Sequence, residues 1–237
     1  MQNITGKTAL ITGGSKGIGY GIAESLLKEG MNVAITGRSA EAVEAAAAEL
    51  SQFGKVLPIV ADVRDFASQQ SAVSKVLATF GSLDVMVANA GVGHFANIAD
   101  LTPEQWLETI DTNLTGVFYS VKASLDALTA TQGYLITIAS LAGTNFFEKA
   151  SAYNASKFGL VGFTQAVMLD VRDRGIKVTT IMPGSVATHF NNHTPNDADA
   201  WKIQPEDIGQ MTVDLLKMHP RTLPSKVEVR PARVAKK

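Results

Sequence analysis

Short apolar runs, separated by longer amphipathic stretches, organise this chain. Residues 8–12, 32–36, 56–61, 83–88, 134–139, 177–182 and 226–229 are each rich in aliphatic or β-branched side chains. Brief runs of that kind suit strands whose two faces are both covered, as in parallel sheets. Between them, Ile18, Ile22, Leu26 and Leu27 recur at helical spacing, residues 40–50 are good helix formers, and Val73, Val76, Leu77 and Phe80 make another stripe. Thr102-Pro-Glu-Gln offers an N-cap, a first-turn proline and a capping-box glutamine, so a long helix is expected from 102 to about 129. A further helix runs from Ser151 through Leu160, Phe163, Val167 and Val171 to Arg174, where Gly175 can supply a left-handed cap.

Strands alternating with helices predict an α/β fold: a doubly wound, seven-stranded, mainly parallel sheet with helices on both faces. One domain is expected over residues 1–237. The polar stretch at about 183–205 reads as a mobile loop or lid, and about 232–237 as a loose tail.

Composition narrows the chemistry. The chain has 237 residues, 46% hydrophobic, enough for a sizeable core. Twenty-one basic against 22 acidic residues leave a net charge of −1, which gives no broad electrostatic reason to expect nucleic acid or an anionic membrane as partner. Cysteine is absent, so disulfides, thiolate zinc sites, iron–sulfur clusters and a cysteine nucleophile are excluded. With no signal-like start and no apolar run near membrane length, a soluble cytoplasmic protein is expected.

Directly after the first strand stands Gly13-x3-Gly17-x-Gly19. Glycines let backbone amides approach a pyrophosphate, and the following helix points its positive end there. The end of the second strand, where an NAD-preferring protein places Asp or Glu, carries Thr36-Gly-Arg-Ser39. Arg38 can grip a 2′-phosphate with a bidentate fork and Lys16 adds a second cation, so NADP(H) is expected over NAD.

Tyr153 and Lys157, four residues apart, share one helix face. A nearby ammonium together with a positively charged nicotinamide is expected to lower the tyrosine pKa and make the phenol a general acid or base for a carbonyl/alcohol substrate. Ser140 ends a strand where α/β sheets bind ligands and can hydrogen-bond the same substrate oxygen.

Taken together these residues resemble the short-chain dehydrogenase/reductase family over nearly the whole chain. Thr12-Gly13-x3-Gly17-x-Gly19 is similar to its cofactor turn, Asp62-Val63 to its adenine contact and Asn89-Ala90-Gly91 to its post-strand motif. Asn113, Ser140, Tyr153 and Lys157 match its tetrad, and Pro183-Gly184 with Thr188 its nicotinamide-side loop. The resemblance implies a Rossmann fold and cofactor contacts that also include Ser15, Ile18, Gly19, Ser39 and Val186. It implies too that Lys157 holds the nicotinamide ribose, that Asn113 positions a water, and that the protein is a homotetramer or homodimer built on the two long helices.

Two departures stand out. Ala88 replaces the first asparagine of the usual Asn-Asn-Ala-Gly, and Pro224-Ser-Lys-Val-Glu-Val-Arg-Pro231 replaces the glycine-ending last strand common in 3-oxoacyl-carrier-protein reductases. That closing segment is more similar to the end of general carbonyl reductases and hydroxy-acid dehydrogenases. An NADPH-dependent carbonyl reductase is therefore expected ahead of a 3-oxoacyl-carrier-protein reductase, and either ahead of a non-catalytic NADP-binding sensor.

Family geometry further implies a mostly apolar substrate wall of Gly93, His94, Phe95, Leu141, Phe146, Phe147, His189 and Phe190, suited to a modest ketone, aldehyde or oxo-ester. His94 is expected at the pocket edge and His219 at a helix end. His189 and His193 have a metal-like spacing but lack a nearby glutamate in the zinc-protease pattern, so no metal is expected.

Overall fold

The computed structural model of the chain describes residues 2–233. In chain order its elements are β1 (Thr8–Thr12), α1 (Gly17–Lys28), β2 (Asn32–Gly37), α2 (Ala40–Leu50), β3 (Val56–Val60), α3 (Phe66–Phe80), β4 (Val85–Ala88), α4 (Pro103–Ile110), α5 (Gly116–Thr131), β5 (Tyr134–Ile138), α6 (Ser151–Asp170), β6 (Lys177–Pro183), α7 (Pro205–Lys217) and β7 (Lys226–Val229).

The strands form one sheet in the order β3-β2-β1-β4-β5-β6-β7, and every pairing is parallel. The sheet is thus wholly parallel. Alternate side chains of each strand enter two separate cores. Ala9, Ile11, Val33, Ile35, Val85 and Val87 face α1, α2 and α7, whereas Leu10, Ala34, Met86 and Leu135 face the side of α3, α5 and α6. Both faces are buried, which is why the strands read as unbroken apolar runs. Chain order reverses about β1, so the connections leaving the carboxyl ends of β1 and β4 run in opposite directions and open a crevice, the usual ligand position in such sheets.

Two helix expectations change in detail. The helix expected over 102–129 is two helices joined by a π turn at Asp111–Thr115. Helical periodicity is the same on both sides of such a turn, so the pattern does not show it. The helix from Ser151 ends at Asp170, and a 3₁₀ turn at Arg172–Arg174 leads to Gly175 at φ 76°.

The stretch 183–205 is a built loop. Val186 and Ile203 form a parallel bridge at its base, and Asp199, itself buried, accepts from Lys202 at 2.6 Å and from the backbone N–H of Asn196 at 3.1 Å and pairs with His193 at 2.5 Å. These partners, Lys202 foremost, hold the Asp199 carboxyl well below the usual carboxylate range. Of the expected tail, residues 234–237 lie outside the described residues. No helix among the described residues is long and apolar enough to cross a membrane.

Candidate active site

The crevice is a cleft of about 1220 Å³ running from the end of β2 to the loop after β6. At its floor the turn after β1 needs its glycines for two reasons. Gly13 and Gly17 sit at φ 65° and 57°, in the left-handed region. Gly19 does not line the cleft, because a Cβ there would run into the Gly13 carbonyl and lie 2.5 Å from Asn89 Nδ2. It is a packing residue.

Lys16, the N-cap of α1, gives no side-chain cap and the first turn of α1 has no acid. Unspent amides and a positive helix end therefore face the cleft beside Ser15, Lys16, Gly17 and Ile18, and this donor set fits the pyrophosphate of a dinucleotide.

Asn89 serves the same turn. Its Nδ2 donates to the carbonyls of Thr12 at 2.9 Å and Gly13 at 3.1 Å, while the Thr12 hydroxyl accepts from the backbone N–H groups of Asn89 and Ala90 at 3.0 and 3.1 Å. The loop after β4 is thereby strapped to the loop after β1, and the Asn89 amide is spent in doing so.

At the β2 end Arg38, Ser39, Asp62 and Val63 line the cleft as expected. Ser39 also caps α2, accepting from Ala42 N–H at 3.3 Å. Arg38 is an exposed cation whose Nη1 lies 3.7 Å from Glu108 Oε1. Sequence reasoning missed Arg64. Its guanidinium grips Asp62, with Nη2 at 2.7 Å, and its hydrogen bonds hold the Asp62 carboxyl below its ordinary value against partial burial. The signal was the Asp-x-Arg spacing, which closes an Asx turn through Arg64 N–H to Asp62 Oδ1 at 2.9 Å.

Ser140, Tyr153 and Lys157 meet on the floor near the end of β5. Ser140 is extended, and its Oγ accepts from Ala142 N–H at 3.0 Å as the cap of a 3₁₀ turn. Its O–H is left to donate toward Tyr153. Lys157 is buried, and its Nζ donates to the Ile138 carbonyl at 3.0 Å and stands 5.7 Å from the Tyr153 ring centre. Burial pushes the Lys157 ammonium down to about 8.

The expected lowering of the Tyr153 pKa belongs to the site with its charged nicotinamide in place; in the chain alone the shift is upward. Burial raises the pKa, and the hydrogen bond with Ser140 only partly offsets that rise. Taking the phenolate out of water is the larger of the two effects.

Asn113, on the π turn, is fully buried and does not line the cleft. Its Oδ1 accepts from Val92 N–H at 2.8 Å, and its Nδ2 donates to the Val92 carbonyl at 2.8 Å and to Ser156 Oγ at 3.0 Å. The side chain fixes the loop after β4 to α6. Gly91 brings backbone into the same corner, where a Cβ would lie 3.3 Å from Asn113 Oδ1 and 3.8 Å from Lys157 Nζ.

On the far side Ala90, Gly91, Pro183, Gly184, Val186 and Thr188 all line the cleft. A Cβ on Gly17 would lie 3.3 Å from Thr188, so the loop after β6 rests on the glycine turn. Leu141, Phe147, His189 and Phe190 line the substrate end, joined by His193 and by Trp201, Lys202 and Arg230, which the sequence did not single out.

Other expected wall residues lie elsewhere. Gly93 and Phe95 stand behind the lining; His94 turns to Glu108, with Nε2 and Oε2 2.8 Å apart. Phe146 points outward, 81% exposed, and stacks on Phe158 at 5.0 Å. A carboxylate partner for His94 and a ring partner for Phe146 decide this, and neither is visible in local sequence. His219 follows α7, where its Nδ1 accepts from Arg221 N–H at 3.3 Å. No cluster that could hold a metal is found among the described residues.

Comparison with known proteins agrees with this arrangement. The family described as short chain dehydrogenase matches residues 7–199. The chain is 37% identical over 211 residues to the 3-oxoacyl-acyl-carrier-protein reductase FabG of Escherichia coli (strain K12), covering 89% of this chain and 86% of that protein. It is 33% identical over 213 residues to the glycine betaine reductase ATRR of Emericella nidulans; that match takes in 89% of this chain but only 17% of the longer relative. Among solved structures, an alcohol dehydrogenase from the archaeon Thermococcus sibiricus, complexed with 5-hydroxy-NADP, superimposes with a TM-score of 0.89 at 30% identity, covering 95% of this chain and 97% of the other.

Proposed function

Because the chain belongs to the short chain dehydrogenase family, and so is an oxidoreductase, we propose that it reduces a ketone or aldehyde to an alcohol, reversibly, with NADPH. The observation that carries the reading is the placement of Tyr153, Ser140 and Lys157 in the same cleft as the uncapped start of α1. The Thermococcus relative, solved with an NADP derivative, supports a nicotinamide cofactor. Arg38 and Lys16, with Arg64 nearby, favour NADP(H) through their positive charge around the expected 2′-phosphate position.

The residues that would hold the cofactor are the amides of the glycine turn, Arg38 and Ser39, Asp62 and Val63, Lys157, and Pro183 to Thr188. When bound, the nicotinamide supplies hydride to the carbonyl carbon. Tyr153 gives its phenolic proton to the carbonyl oxygen, which becomes far more basic as the carbon is reduced. Its raised pKa keeps the phenol protonated at neutrality, the form reduction needs. Ser140 donates to the same oxygen and stabilises the charge growing there. Lys157 presents its ammonium to the cofactor ribose and beneath the Tyr153 ring.

We propose further that residues 1–237 are one domain acting in the cytoplasm as a homodimer or homotetramer. Exposed Trp106, Leu107, Phe118 and Leu169 on α4, α5 and α6 supply an apolar surface for such pairing.

An NADPH-oxidation screen over carbonyl compounds of varied size and charge, with acetoacetyl-CoA alongside, tests the activity. Turnover of simple ketones or aldehydes with higher catalytic efficiency than the thioester is expected. A strong thioester preference would instead make the chain a 3-oxoacyl-carrier-protein reductase, the alternative reading, supported by its 37% identity to the Escherichia coli enzyme.

A further inference from the structure

We infer that the substrate of this carbonyl reductase carries its carbonyl on a planar aromatic ring, and that Phe95 and Gly93 set the preference by positioning the rings that receive it. The inference rests on the reading above. Phe95 does not touch the cleft, yet three lining rings pack on it: Tyr153 at 5.3 Å, Phe147 at 6.0 Å and Phe190 at 6.2 Å between centroids. Tyr153 and Phe190 also meet each other at 5.6 Å and 52°. Phe147 follows β5, Tyr153 belongs to α6 and Phe190 to the loop after β6, so one half-buried ring joins the aromatic groups of three separate segments.

What they present to the cleft is open. Phe147 and Phe190 remain 50% and 37% exposed although both lie in its wall, and Trp201 adds a further ring. Tilted and edge-on ring pairs gain attraction beyond area burial, which a saturated group of equal size does not share. A flat ring also enters without the rotamer loss that a flexible chain incurs. The sole carboxylate among the lining residues, Asp62, is occupied by Arg64 at the opposite end of the cleft.

Gly93 makes the arrangement possible. A Cβ there would lie 2.6 Å from Phe190 Cζ and 2.9 Å from Phe95 Cε2, so any larger residue pushes Phe190 away from the Tyr153 ring. Both colliding atoms lie at the ends of side chains rather than in backbone. Gly93→Ala is therefore a mild way to displace the ring while keeping the fold.

The test uses ketone binding to the full chain saturated with NADP⁺, a pair that cannot react, measured by calorimetry. Acetophenone is compared with cyclohexyl methyl ketone, which has the same skeleton with a saturated ring. Acetophenone is expected to bind about tenfold more tightly, and Gly93→Ala and Phe190→Leu to bring the ratio below about threefold. Circular dichroism checks that each variant is folded; the ratio in the unaltered protein decides the question even if one is not.

Equal affinities, tighter binding of the saturated ketone, or an unchanged ratio in folded Phe190→Leu overturns the inference. Acetoacetyl-CoA binding more tightly than acetophenone overturns it as well. Absence of NADPH oxidation with any carbonyl would defeat the reductase reading without altering the binding ratio, so the two failures are distinguishable.

Discussion

Lys157 donates its ammonium proton to the carbonyl oxygen of Ile138, 3.0 Å away, from a position at which the side chain is almost wholly buried. That contact anchors the cation at the end of β5, under the ring of Tyr153. Burial makes it costly, and the cost depends on pH.

In the folded chain the Lys157 pKa falls to about 8 from an ordinary 10.5, so between those values the unfolded state binds the extra proton. Stability contributed at this site therefore rises as pH climbs from about 8 to 10.5, and the full penalty is present below about 8. Lys157→Met removes the penalty but leaves the Ile138 carbonyl without this donor, for a net gain of about 1–2 kcal/mol at neutral pH. Denaturant melts of the cofactor-free protein should show that gain shrinking as pH is raised toward 10.5.

Tyr153→Phe removes the transferable proton and little else. Turnover is expected to fall by about 10²–10⁴, the usual worth of a positioned acid. Cofactor affinity, followed by fluorescence titration, should change less than about threefold, since well under 1 kcal/mol of binding rests on the phenol. A variant retaining most of its rate would remove Tyr153 from the chemistry.

For unaltered protein, reduction needs the protonated phenol and oxidation the phenolate. Because burial raises the Tyr153 pKa, the alcohol-oxidation rate should climb with pH through the alkaline range while the reduction rate holds. Rates measured in both directions across pH check the sign.

Arg38→Asp should weaken NADP binding by more than about tenfold, the scale of one charged hydrogen bond, and NAD binding far less. Equal losses would mean that Arg38 does not meet the 2′-phosphate. Glu108→Gln, at the half-buried carboxylate that lies 3.7 Å from Arg38 and also pairs with His94, should shift stability by about 1 kcal/mol or less.

Gly19→Ala drives a methyl group into the Gly13 carbonyl and the Asn89 amide, both held by the strap between the loops after β1 and β4. A loss of about 2–3 kcal/mol is expected, seen as a melting temperature roughly 4–12 °C lower. The same substitution at Gly162, where nothing lies within 4 Å, should leave the melting temperature unchanged or slightly higher.

Local pattern decided much of this protein. A strand buried on both faces must be short and apolar throughout, so all seven could be located in the sequence, and the wholly parallel sheet follows from helices of crossover length between them. Tyr153 and Lys157 were equally visible, because residues four apart on a helix share a face whatever surrounds them. Glycines that must sit at φ 65° and 57° were marked by their residue type alone.

Tertiary structure decided the rest, because it depends on which distant groups meet. Only packing shows that Asn89 and Asn113 spend their amides on backbone, that Glu108 draws His94 away from the cleft, and that Arg64 closes on Asp62. The sign of the Tyr153 shift belongs here too, since desolvation is set by everything packed around a group, whereas spacing along a helix reveals only its nearest charge.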